Sequence, residues 1–228
     1  MLRVDKVQQD LGNGGDSVEA REKRSKSPPQ STTRGVDYEM VGFVDACITR
    51  CLELAGLSID TLQHTLCPGL EDSALQEQDF STTGALSGDA AKIITKILFC
   101  ARVCGCDLMH PVCTLAREIS KCSRASDKRL HKLISYMHST RDWSIRTVVG
   151  DAPHACKLVC FSDSDFAGDT RTSKSTTGCV VAISGPNTFV PINVLCKRQQ
   201  VVSHSSTEAE IVALDVSIRT EGLPMLTL

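Results

Sequence analysis

The sequence predicts an α+β protein: a helical first half, then a shorter α/β region in which antiparallel strands meet one helix. Three observations carry this. Apolar residues recur at helical spacing over 90–104, 111–119 and 126–137. After Arg141-Asp142-Trp143 the pattern becomes that of strands, over 144–149, 156–163, 176–184 and 189–202. A last helical pattern runs from Thr207 to about Thr220. At 228 residues and 41% hydrophobic, the chain has room for one good domain or two small ones.

In order, residues 1–36 hold Asn13-Gly14-Gly15, a mixed charge run over 19–26 and Ser27-Pro28-Pro29. That composition buries too little surface to offset chain entropy, which predicts a disordered arm. Over 38–55, Met40, Phe43, Val44, Cys47, Cys51 and Leu52 line one face of a helix that Gly56 ends. Residues 58–84 read as a long connection. Ala90, Ile93, Ile94, Ile97, Leu98 and Ala101 make the strongest stripe; Pro111 fits a first helical position, and Ser126 a cap for the helix carrying Leu130, Leu133, Ile134 and Met137. Pro191 within the last strand predicts a bulge or an edge. Gly222 and Pro224 are expected to stop the final helix.

Composition excludes several classes. A net charge of -2 supplies no global basic field for nucleic acid, and 4% aromatics supply no stacking platform. The twelve cysteines contain no CxxC pair, so they read as free thiols rather than zinc ligands. With no signal peptide and no apolar span of membrane length, the expectation is an intracellular, reducing location and no membrane partner.

Chemistry concentrates in two acidic clusters. Ser162-Asp163-Ser164-Asp165-Phe166-Ala167-Gly168-Asp169 follows an apolar strand, and Ser205-Ser206-Thr207-Glu208-Ala209-Glu210 opens a helix. A carboxylate at a strand end facing one on a first helical turn suits Mg²⁺ or Mn²⁺, which take oxygen ligands. Each cluster also has an ordinary reading. The first is an Asp-rich turn. The second is a capping box in which Glu210 bonds back to Thr207, with Glu208 a first-turn acid.

Four stretches in order, 161–169, Ser173-Lys174-Ser175-Thr176-Thr177-Gly178, Lys197-Arg198-Gln199-Gln200 and 203–214, resemble the ribonuclease H region of copia-type LTR retrotransposon Pol polyproteins. Residues 86–140 resemble the segment that joins reverse transcriptase to it. The resemblance implies a helical thumb or connection-like segment over 37–140 and, over 141–228, an incomplete ribonuclease H-like domain of three antiparallel strands and one helix.

It also implies a nuclease that cleaves the RNA strand of RNA:DNA hybrids, with Asp163 and Glu210 as catalytic metal ligands and Mg²⁺ or Mn²⁺ weakly held. Lys174, Ser175, Lys197 and Arg198 become candidate phosphate contacts, and the partners a hybrid, bound without regard to base sequence, and the rest of the Pol polyprotein. The later catalytic Asp residues of that family and the polymerase site are missing. The chain is therefore expected to be inactive alone, or else a non-catalytic remnant or an adopted nucleic-acid-binding or interaction module. An incomplete sheet further predicts an open edge and an uncovered apolar face.

Overall fold

The computed structural model describes residues 2–6, as backbone, and 33–227. The element order is β1 (Leu2–Lys6), β2 (Arg34–Tyr38), α1 (Val41–Ala55), α2 (Glu77–Ser81), α3 (Ala90–Val103), α4 (Met109–Glu118), α5 (Arg124–Ser139), β3 (Ile145–Val149), β4 (Lys157–Asp169), β5 (Lys174–Gly185), β6 (Thr188–Arg198) and α6 (Ser206–Ser217). This is an α+β fold. The arm expected over 1–36 lies mostly outside the described residues, and strands β1 and β2 stand at either end of it.

The helical lobe carries the main core. Ile93 and Ile97 of α3, Val112 and Leu115 of α4, and Leu130, Leu133 and Ile134 of α5 are fully buried, with Cys47 and Ile48 of α1 packed on them. Their i, i+3, i+4 spacing is what turned one face of each helix inward. Gly56 closes α1 at φ +62°, a left-handed conformation that suits glycine, and its N–H returns to the carbonyls of Leu52 and Glu53. Two boundaries differ from expectation. The cap of α5 is Ser123, whose Oγ accepts the Ser126 N–H while Ser126 Oγ accepts the Ser123 N–H. Helix α4 begins at Met109 rather than Pro111.

The connection over 58–84 is pinned to the helices by charge. Arg129 of α5, with its side chain only 9% exposed, pairs with Asp72 and, at 2.7 Å, with Glu118. Lys128 reaches Asp79 at 2.6 Å. Two guanidinium groups lie against the Phe80 ring, Arg129 at 5.6 Å from its centroid and Arg171 of the β4–β5 turn at 5.1 Å. Arg171 also meets Glu118, and Thr170 donates to Asp72. These contacts tie the tip of the β4–β5 hairpin to the helical lobe.

The sheet is antiparallel in the order β1-β2-β3-β6-β5-β4. The expectation of three strands is corrected. β3 continues the sheet beyond β6 through the pair Val148–Phe189, and β2 and β1 extend it further. Of the bulge or edge expected at Pro191 the structure has a bulge, because Ala182 pairs with Pro191 and Val181 with Asn193, leaving Ile192 as the extra residue. Val194 and Cys196 of β6 press one face of the sheet against the helical core. Helix α6 lies on the other face, over β4 and β5.

Helix α6 does not stop at Gly222. It passes through a π-helical turn, Ile218–Gly222, into a last short turn, Leu223–Met225. Pro224 is tolerated there because it sits at the start of that turn, where its missing N–H is not needed.

Candidate functional site

Asp163 and Asp165 are two apart on β4 and so point to one face of the sheet. Asp163 pairs with Gly178 and Asp165 with Thr176. Their face is turned to the helical lobe, for His110 Nε2 of α4 is 3.8 Å from Asp165 Oδ2. The alternate residues point the opposite way, toward α6. Cys160 Sγ is 3.4 Å from Cys179 Sγ, and Gln199 Nε2 donates to Ser164 Oγ at 3.3 Å, to Thr177 Oγ1 at 3.2 Å and to the Ala209 carbonyl of α6 at 2.9 Å.

Glu210 belongs to α6, so the two carboxylates expected to share a cation are separated by the sheet itself. A hard divalent ion needs its oxygen ligands gathered within one coordination shell, and this pair does not fit one. Among the described residues, no group of three or more His, Cys, Asp and Glu gathers to hold a metal.

The first acidic cluster builds a hairpin. Asp165 accepts the Thr176 N–H, and Gly168 packs so closely on the Asp165 carboxylate that a Cβ there would collide with it. Ala167, at φ +55°, turns the chain, and its N–H reaches Ser175 Oγ at 3.0 Å. Asp169 accepts the N–H groups of Arg171 and Thr172 at 3.2 and 3.3 Å and pairs with Arg198 at 2.8 Å. Burial works against the charged form of Asp169, but the hydrogen bonds from Arg198 and Thr172 outweigh it and hold the carboxyl below its ordinary value.

The four candidate phosphate contacts do not form one surface. Ser175 is fully buried and bonded to Ala167, and Arg198 is committed to Asp169. Lys197, paired across from Thr177, shares the α6 face, whereas Lys174 stands an odd number of residues from Thr177 on β5 and so points to the other.

The second cluster is also structural, two residues earlier than its sequence suggests. Ser205 Oγ accepts the Glu208 N–H at 3.1 Å, and Glu208 reaches back to the His204 N–H at 2.7 Å. Ser205, not Thr207, is the cap, and this releases Glu210 to solvent.

What this register exposes was not anticipated. Ala209, Ala213 and Ser217 turn inward onto the sheet. Opposite them, at helical spacing, Ile211, Leu214 and Ile218 are 62%, 46% and 42% exposed. Leu223 and Leu226 continue the apolar surface beyond them. Glu210 borders the stripe on one side of the helix and Glu208 and Asp215 on the other, by the same spacing. The i, i+3, i+7 signal was in the sequence. Only the small-residue stripe packed beneath it shows which side faces out.

No family model matches the chain, and no solved structure matches it. The chain is 32% identical over 109 residues to the protein named "Secreted RxLR effector protein 161" of Plasmopara viticola, an alignment covering 47% of this chain and 71% of that relative. A named relative of this kind overturns the assignment to a copia-type retrotransposon Pol polyprotein, and with it the reverse transcriptase and ribonuclease H readings. The likeness to those polyproteins rested on short motifs whose acidic residues this fold uses for a hairpin and a helix cap. By the extent of that similarity, the chain belongs to the family of the Plasmopara viticola secreted RxLR effector protein 161.

Proposed function

We propose that the chain acts as a secreted effector-type binding protein that holds a partner protein by the outer face of α6. The relative's name supports the effector part of this reading, and the stripe of Ile211, Leu214 and Ile218 supports the binding part. A helix that is apolar on two opposite faces has been given more surface to bury than its own sheet can cover. Its rim carries the carboxylates of Glu208 and Glu210, with Asp215 paired to Arg219, so the complementary partner offers apolar residues among Lys and Arg.

Fluorescence anisotropy with two designed helical peptides tests it, one of Leu and Lys, the other of Leu and Glu. The Leu/Lys peptide is expected to bind, at least about tenfold more weakly when Leu214→Ser and Ile218→Ser are combined. Equal binding of both peptides, or of the Leu/Lys peptide by parent and variant, overturns the proposal. So does sedimentation showing that the same face is occupied by a second copy of this chain.

A further inference from the structure

A large concavity lies away from the sheet, between the end of α1, the connection over 57–86 and α5. Its volume is about 920 Å³, at the upper end of the range of small-molecule sites. The floor is apolar and comes from three segments: Leu52 and Ala55 of α1, Leu57, Leu70 and Leu86 of the connection, and Ile134 of α5. Successive turns of α5 bring Arg124, Lys128 and Lys132 to the wall.

The charges on that wall do not balance. Asp79 is shared by Lys128 at 2.6 Å and Arg124 at 3.5 Å. Asp127 accepts the Ala85 N–H at 2.6 Å and the Leu86 N–H at 3.4 Å, which spends its oxygens on fixing the loop. Lys132 meets only a hydroxyl, Thr65 Oγ1 at 2.7 Å, with no carboxylate partner among the described residues. Three cations thus face two engaged carboxylates beside an apolar floor.

The wall is also built rather than draped. Thr83 bridges to Ser123, and Gly84 passes so close that a Cβ would lie 2.8 Å from the Ser123 carbonyl and 2.9 Å from Asp127 Oδ1. A hydrophobic cavity with one unmatched ammonium on its wall selects a ligand with an apolar body and an anionic head. We infer that this cavity binds an amphipathic anion, its hydrocarbon chain on Leu52, Leu86 and Ile134 and its carboxylate or phosphate on Lys132.

Isothermal titration calorimetry of the full chain with dodecanoate, dodecyl phosphate, dodecanol and dodecyltrimethylammonium tests this, with phosphatidic acid vesicles as a separate arm. Both anions are expected to saturate at one per chain, with dodecanol at least about tenfold weaker and the cation weaker still. Lys132→Met, which keeps the side chain's length and removes its charge, is expected to weaken dodecanoate about tenfold or more and leave dodecanol unchanged. A second variant, Leu86→Gln, is expected to weaken anions and alcohol alike. Circular dichroism establishes that both variants are folded. Equal affinity for dodecanoate and dodecanol, no effect of Lys132→Met, or binding only to vesicles overturns the inference.

Discussion

Asp163 and Glu210 stand on opposite faces of one sheet, the first turned to His110 and the helical lobe, the second carried by the helix on the far side. The sheet lies between the face that carries Asp163 and the helix that carries Glu210. A cation bound at Asp163 is therefore bound without Glu210, and one at Glu210 without Asp163. Asp163→Asn and Glu210→Gln are each expected to leave Mg²⁺ titrations of the chain unchanged. A saturable Mg²⁺ isotherm that both substitutions abolish would contradict this separation.

Capping separates the two glutamates of α6. Ser205→Ala removes the acceptor for the Glu208 N–H and is expected to cost about 1 kcal/mol in chemical denaturation. Glu210→Gln, at an exposed position outside the cap, is expected to change stability by less than about 0.5 kcal/mol. The reverse order would restore the cap to Thr207.

Arg129 is the buried cation on which the connection over 58–84 depends. Replacing it with Met leaves Glu118 to Arg171 and Ser126 and Asp72 to Thr170, and removes one of the two guanidinium groups against Phe80, an expected loss of about 2 kcal/mol. Asp72 supplies the pH dependence. Burial raises its pKa, but hydrogen bonds from Thr170 and Arg129 outweigh that and lower it. A folded value below the unfolded one contributes stability above the unfolded pKa and loses it as pH falls through the folded pKa. Denaturation at pH 7 and in the acid range is expected to show this part of the acid loss smaller in Arg129→Met.

Among the thiols, Cys113 is expected to be the most reactive. A hydrogen bond from Cys196 lowers its pKa to about 7 against the opposing effect of burial, with Arg117 and Arg102 adding to the lowering. Mass-spectrometric mapping after brief iodoacetamide treatment near pH 7 is expected to find Cys113 labelled first, and Cys100, raised by Cys104 and by burial, labelled late. Arg117→Met is expected to slow labelling of Cys113. Uniform labelling of the twelve thiols would refute the assignment.

The helical lobe was legible in the sequence because its signal is local. Ile93, Ile97, Leu130 and Leu133 fall at spacings that put them on one side of a helix whatever surrounds it, and all four are buried. Pro191 announced its bulge for the same reason, since a residue without an N–H interrupts a ladder wherever it stands. The strand periods after Trp143 likewise carried the change to a sheet. How many strands that sheet holds was not legible, because β1 and β2 join it from more than a hundred residues away and pairing across such distances leaves no local mark.

The site was decided by tertiary structure alone. The two acidic clusters determine, as sequence, only that carboxylates stand near a strand end and a helix start; both facts are compatible with a metal site, a turn and a cap. Strand alternation fixes Asp163 on one face, and packing of Ala209, Ala213 and Ser217 against β4 and β5 places α6 on the other. That arrangement turns Glu210 into the rim of an exposed apolar stripe. The cavity by Lys132 arises in the same way, from α1, the 57–86 connection and α5. No single segment of the chain contains it, and only their packing leaves its ammonium without a carboxylate among the described residues.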